Sequence, residues 1–526
     1  MRTALEKLET NARRGKRTLW WIIPLLMILA ILACQQLFSL ASHFHNSELV
    51  ILAGALLGLP ALIILGFAFR QGLQHVRAFA STLKWWHLPW ALTLVSALVF
   101  RIRAASQITA EPVDAWAGFR IGVDSLVAMI LLARLALRRT NWVGSMLRGV
   151  VGCLTVFGLV SLASTTWSVF PPWTLYKSAE YLIDIALLAA ILETIDSVEE
   201  YRTFFNWTWA LYGLLLLSCW KDVLLWPREA LYGDIIQMHA TMTMRLNGVM
   251  PAVSANDIAT FGAILGLVAL ARLFPASEER FPKSWYVLLL LGSQVTMVFA
   301  QTRSAFAGFL LGAFVILLYS KRQRLGAFVT LIVAPLAAST MMGGLIWSFL
   351  ERGQTASQLD TLSGRAQWWS FAWQTFLERP LTGFGAYAAG RFAVLAKMGS
   401  GLTSTMHSDY LEIIVGTSLW GMIPFLVTLV ATGWLLWRYV RDPYLEPQER
   451  QLAFEGLAIF AMLGLRSIFN DMFGIHPALP FLVILGYVEF LRRRRKAARQ
   501  LVRARRVEQP LEDPDPQLEL VFSHRS

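Results

Sequence analysis

Apolar runs of bilayer length recur along this chain from its first tens of residues to about residue 490, and they limit the possible folds more than any other feature. A helix rising 1.5 Å per residue needs about 20 apolar residues to cross a hydrocarbon core. An open sheet or irregular chain cannot cross it, because its unpaired backbone N–H and C=O groups would be stripped of water. The fold class is therefore an all-α polytopic membrane protein. Of the 526 residues 56% are hydrophobic and 15% charged, against about 25% charged in a soluble domain. The runs place spans near residues 19–41, 49–69, 85–100, 115–137, 149–167, 174–194, 203–226, 255–274, 285–300, 305–320, 326–349, 411–437, 452–473 and 475–491. That is about fourteen transmembrane helices, with twelve to fourteen as the range.

A net charge of +13 would suggest nucleic acid in a soluble protein. Here the cations sit at span ends and in two terminal tails, so no nucleic-acid partner is expected. Cys34, Cys153 and Cys219 lie far apart within apolar runs, which disfavours a disulfide framework or a zinc site. Met1 to Arg17 reads as a cytoplasmic tail before an uncleaved first span, because the following run is too long for a signal peptide. Short loops alternate in charge: Arg70, Arg77 and Lys84, then Arg138 and Arg139, Arg272, Arg280 and Lys283, Lys321, Arg322 and Arg324, and Arg438 and Arg441 all fall on one side. The opposite loops are poor in Lys and Arg, although Arg101 and Arg103 break the trend. The positive-inside rule then puts both tails in the cytoplasm and two long connections, residues 227–254 and 350–410, outside.

The larger outer loop is rich in aromatics. Within Ser363 to Pro380, Trp369, Trp373, Phe376 and Leu377 recur at helical spacing after an N-capping Ser, and Gly383 and Gly385 supply a turn. This pattern predicts an amphipathic helix lying on the outer membrane face; a packing lid is the plainer alternative. Ionisable groups near spans are costly and need a reason. Arg303 lies in a tight outer hairpin, where its planar fork suits phosphate oxygens or simply snorkels to headgroups. Arg245, Asn256, Arg365 and Arg466 also fall on the outer side, Arg466 beside Asn470 and Asp471. His407 stands just before a span and suits proton transfer from a hydroxyl. Asp409 and Glu412 are alternative bases, ring-orienting groups or cation partners. No Walker A loop, HExxH or CxxC pair occurs, and Asp513-Pro514-Asp515 lies in a charged tail; no metal or other cofactor is expected.

Four stretches taken together resemble the O-antigen ligase and polymerase superfamily, WaaL-like (Wzy-C) bacterial envelope glycosyltransferases. They are RLNGVMPAVSAND (Arg245 to Asp257), FAQTRSAFAGFLLG (Phe299 to Gly312), SGRAQWWSFAWQTFLERPLTGFGAY (Ser363 to Tyr387) and MHSDYLEIIVGTSLWGMIPFL (Met406 to Leu426). None is specific alone; their order and topology carry the likeness. The resemblance implies a GT-C-like membrane glycosyltransferase of the bacterial inner membrane. It would transfer a glycan from an undecaprenyl-diphosphate-linked donor to a glycan or lipid A-core acceptor on the periplasmic face, with inversion and without metal. It also implies diphosphate binding by Arg303 and Arg245, shaping of the site by Arg365, and a base or orienting role for His407. Residues 1–18 then form a cytoplasmic tail, 19–204 N-terminal spans, 205–491 the ligase-like region including the loop 350–410, and 492–526 a basic cytoplasmic tail. The family's His-Asn-Asp-Tyr pattern reads His407-Ser408-Asp409-Tyr410 here, and the extra spans favour an exopolysaccharide or O-antigen polymerase as strongly as a lipopolysaccharide ligase. A transporter or flippase of lipid-linked glycans is the competing function; it should carry its charges near the membrane midplane.

Overall fold

The computed structural model describes residues 83–98, 105–111, 113–231, 245–273, 283–319, 365–397 and 405–508. The runs at 19–41, 49–69 and 326–349, the terminal tails 1–18 and 509–526, Ser363 and the Asp513-Pro514-Asp515 triplet lie outside the described residues. Within them, every proposed span falls on a helix. In chain order these are α1 (His87–Leu98), α2 (Ala115–Ala136), α3 (Gly149–Ala163), α4 (Pro171–Leu192), α5 (Val198–Leu225), α6 (Ala255–Leu273), α7 (Lys283–Ala300), α8 (Arg303–Tyr319), α9 (Arg365–Glu378), α10 (Asp409–Arg441), α11 (Pro447–Ser467) and α12 (Leu479–Glu508). Among the described residues, five stretches are long and apolar enough to cross a membrane: α3 with its continuation to Trp167, α5, α6, α7 and α10. α8 is apolar but shorter. Among the described residues the only sheet is a hairpin of β1 (Gly248–Val249) and β2 (Ala252–Val253).

Local chemistry sets the helix starts. Asp114 and Ser197 cap α2 and α5 through backbone N–H groups of Ala117 and Glu200, and Pro171 and Pro447 open α4 and α11, where a missing N–H costs nothing. Packing then relies on close approach. Gly308 and Gly312, one turn apart on α8, face Met462 and Ala458 of α11; a Cβ on Gly312 would stand 2.8 Å from the Ala458 carbonyl oxygen. Between apolar helices in lipid, such small residues let backbones meet and gain van der Waals contact. One turn beyond, the same contact brings Ser304 to Arg466.

The two ends of the bundle are chemically distinct. At one end Arg494 pairs with Glu449, Arg495 with Asp442, and Arg493 with Glu193 and the buried Glu489, while Arg272 grips Glu455 through two bonds of 2.9 and 3.0 Å. This is the end that carries the basic loops. The other end gathers the starts of α4, α6, α8 and α10 and the close of α11.

Two departures from the sequence reading matter for the site. α10 is broken at Ser418, whose backbone is left-handed (φ 56, ψ −151). The break strands the carbonyls of Val415 and Gly416, and the turn after α9 fills them: Phe384 N donates to Val415 O at 3.0 Å and Gly385 N to Gly416 O at 2.9 Å. Gly383 (φ 69) and Gly385 (φ 97) permit that approach. Second, the sequence reading leaves one residue between the last two spans. The structure ends α11 at Ser467 and starts α12 at Leu479, so residues 468–478 form a folded link.

Candidate functional site

Asn256, in the first turn of α6, holds the site together. Its side-chain oxygen accepts from Arg245 Nη2 at 3.1 Å and Thr302 Oγ1 at 3.2 Å. Its main-chain carbonyl accepts from Arg466 Nη2 at 3.2 Å, while Arg466 Nη1 donates to Ser304 Oγ at 3.0 Å. Arg245 Nε also donates to Ala300 O at 3.4 Å. One residue thus ties together the stretch before the β hairpin, the α7–α8 link, the start of α8 and the last turn of α11. The link is two residues long because Gln301 adopts a left-handed turn (φ 53), and this sets Arg303 and Ser304 at the start of α8, with Ser304 on Arg466. Both α6 and α8 present their N-termini here, where unpaired N–H groups and the helix dipole favour an anion.

Arg303 opens α8 and Arg365 opens α9, each partly buried. Arg365 sits within electrostatic reach of Asp471, Arg245 and Arg303. Burial lowers its pKa, Asp471 opposes that shift, and the two arginines add to it. Arg466 is fully buried in the same neighbourhood. The fold therefore brings together Arg245, Asn256, Arg303, Arg365 and Arg466, which lie on segments far apart in sequence. Crowded cations of this kind are relieved when an anion binds between them.

His407 stands two residues before α10 in a left-handed conformation (φ 54). Its Nδ1 lies 3.3 Å from Asn470 Oδ1 and 3.5 Å from Thr405 Oγ1, and Trp368 of α9 covers its ring at 5.9 Å between centroids. Nδ1 is therefore the protonated nitrogen, and Nε2 keeps the free lone pair. Burial, then Arg365 and Arg466, push its pKa down to about 4, against the opposing bond from Asn470. Asp471, next to Asn470, moves the other way: burial pushes its carboxyl up to about 6, against a hydrogen bond from Thr405.

The two carboxylates considered beside His407 have other partners. Asp409 accepts three backbone N–H groups, from Met472 at 2.7 Å, Phe473 at 3.0 Å and Gly474 at 3.0 Å. It anchors the 468–478 link and leaves ring orientation to Asn470. Glu412 accepts Met406 N at 2.6 Å, lies against Gly390 and feels Arg391. It braces the segment that carries His407. Trp368 and the ring contact of Asn470 escaped the sequence reading, although Asn470 stood next to a flagged arginine.

A second set of ionisable side chains also escaped it. Arg120 grips Glu180 through two bonds of 2.5 and 3.0 Å, Lys177 reaches the same carboxylate at 2.8 Å, and His476 of the link meets Asp184 at 2.7 Å. The signal was present in the sequence as charges inside the apolar runs of α2 and α4.

No curated protein matches this chain. The stretch from α7 to α10 contains Arg303, Arg365, His407, Asp409 and Glu412, whereas Arg245, Asn256 and Arg466 fall outside it. That stretch, residues 286–426, matches the family model Wzy_C, O-antigen ligase, the superfamily that the four motifs resemble.

Proposed function

We propose that this protein transfers a glycan from a polyprenyl-diphosphate-linked donor, of the undecaprenyl type, to an acceptor hydroxyl at the outer face of the bacterial inner membrane, acting as an O-antigen ligase or as an O-antigen or exopolysaccharide polymerase. The observation that carries the reading is the meeting of Arg245 and Arg466 on Asn256, with Arg365 in electrostatic reach of Arg245 and Arg303, and with His407 held on Asn470 and in electrostatic reach of Arg365 and Arg466. A diphosphate leaving group needs its growing negative charge neutralised, and preorganised guanidinium groups supply that. Arg245 and Arg303 hold the diphosphate in this scheme, and Arg365 and Arg466 set the field around it.

The step balances simply. The acceptor oxygen attacks the anomeric carbon, forming the new glycosidic bond. The bond from that carbon to the diphosphate oxygen breaks, its electron pair stays with the diphosphate, and configuration inverts. The hydroxyl proton passes to His407 Nε2. Burial depresses the pKa of His407, and Arg365 and Arg466 add to that; a bound diphosphate offsets the arginine contribution by adding negative charge. The donor thus raises the basicity of its own base on arrival.

The buried charges of α2 and α4 give a transporter or flippase reading some support, since Asp184 lies thirteen residues into α4. Reconstitution separates the readings. Purified protein in vesicles, given lipid-linked glycan and acceptor, should form a product with glycan joined to acceptor and release polyprenyl diphosphate. Movement of donor across the bilayer with no joined product would overturn the transferase reading. Whether long or single-repeat glycans accumulate on the carrier after gene deletion tells ligase from polymerase.

A further inference from the structure

The 468–478 link is pinned at two points, and only one pin belongs to the site described above. Asp409 holds its middle, Met472 to Gly474. Toward its C-terminal end His476 enters the bundle between α1, α2 and α4. Its Nδ1 lies 2.7 Å from Asp184 Oδ2, and its Nε2 lies 2.7 Å from Ser96 Oγ and 3.9 Å from Asp124 Oδ1. Ser96 Oγ itself donates to Thr93 O at 2.9 Å, so it receives a proton from Nε2. Both ring nitrogens therefore face acceptors.

Among the described residues the cluster also holds Asp124, Glu180, Arg120 and Lys177. Asp124, Glu180 and His476 lie within 4.8 Å of one another, but Arg120 and Lys177 already engage Glu180.

We propose that His476 is a positioning residue for the transferase site: through its contacts with Asp184 and Ser96 it locks the link into the N-terminal bundle and so fixes Asn470 against His407. This rests on the transferase reading, with His407 as its base. The lock joins the membrane-buried half of the chain outside the matched stretch to the segment that selects the His407 tautomer. Breaking one partner of a buried ion pair strands the other, whereas removing both charges together leaves a satisfied neutral pair.

The test uses the full-length protein in nanodiscs and two readouts. Hydrogen exchange of the peptide spanning residues 468–478 reports the lock itself, and transfer kinetics report its effect on the site. In His476→Gln, exchange should rise roughly tenfold and kcat fall roughly tenfold, with donor KM nearly unchanged. Adding Asp184→Asn replaces the carboxylate left without its ring partner by a neutral amide and should return both readouts toward native. Native-like exchange in His476→Gln would overturn the proposal, as would a double variant no better than the single one, or faster exchange with unchanged kcat. If His476→Gln does not fold, recovery of folded protein in the double variant supports the proposal and its failure overturns it. Absence of transfer by the native protein would instead count against the transferase reading, leaving the exchange comparison intact.

Discussion

Arg466, buried at the end of α11, donates to the main-chain carbonyl of Asn256 at the start of α6. A fully buried guanidinium needs its donors matched, and Ser304 and Asn256 match two of them while Asp257 contributes a favourable field. Arg466 therefore fastens three elements and adds positive charge behind the site. Arg466→Ala should cost about 3–5 kcal/mol, the usual penalty for breaking a buried charged network, measured as thermal unfolding in detergent. Arg466→Lys keeps the charge but cannot span Ser304 and Asn256 together. Its stability loss should be smaller, with transfer still at least about tenfold down.

The arginines that face a diphosphate should behave differently from those that brace the fold. Arg303→Ala and His407→Ala are expected to insert and unfold like the native protein while glycan transfer is lost. Quantifying joined product by gel or mass spectrometry checks this, and normal product from either variant removes the corresponding role. Arg303→Lys should recover part of the activity, because a point charge replaces a planar fork.

The Asn470 contact makes a narrower claim. Asn470→Ala removes the acceptor that holds His407 Nδ1–H, so the ring loses its fixed tautomer and orientation. The expected result is a fall in kcat of roughly tenfold to a hundredfold with donor KM nearly unchanged. A rise in KM alone would show that Asn470 contacts the donor.

Much of this was legible in the sequence, for identifiable reasons. Hydropathy is a local property, so helices such as Ala255–Leu273 and Lys283–Ala300 lie within two residues of the spans drawn from it. Arg245, Arg303, Arg365 and His407 were also visible, because each stands in an outer loop or at a span edge within one of the four motif stretches. The partners were not. The tie between Asn256 and Arg466 spans 210 positions and depends on the Gly308 and Gly312 contact, which no window reveals. The break at Ser418 is a single backbone dihedral inside an apolar run. The link at 468–478 reads as apolar chain, yet it turns on three amides folded around Asp409. Lys177, Glu180 and Asp184 went unread inside one span; their matching partners Arg120 and His476 lie on α2 and beyond α11.

Acid should test the burial of His407. Its folded pKa of about 4 lies below the ordinary histidine value of roughly 6.5, so the unfolded chain binds more protons between these limits. Stability should therefore fall as pH drops through that window, by at most about 3 kcal/mol from this group. Asp471, raised to about 6, opposes this between roughly pH 6 and 4. The difference between native protein and His407→Gln isolates the histidine: the native midpoint should fall relative to the variant's as pH drops from 6.5 to 4. Parallel curves would mean that His407 is not held neutral by its surroundings.

The packing of α8 on α11 carries the last prediction, because it places the site without touching it. A Cβ on Gly312 would meet the Ala458 carbonyl at 2.8 Å and Leu267 closer still, whereas Gly308 would press on Met462 at 2.9 Å. Met462 is a flexible side chain, but the Ala458 carbonyl is backbone and cannot yield without moving α11. Gly312→Val should therefore separate the helices and draw Arg466 away from Ser304, costing about 1–3 kcal/mol as overpacking does and reducing transfer as well as stability. Gly308→Ala should cost less on both counts. Thermal stability and transfer measured on the same preparations check the order, and a Gly308→Ala variant that is worse than Gly312→Val would show that the helices are not in contact as described.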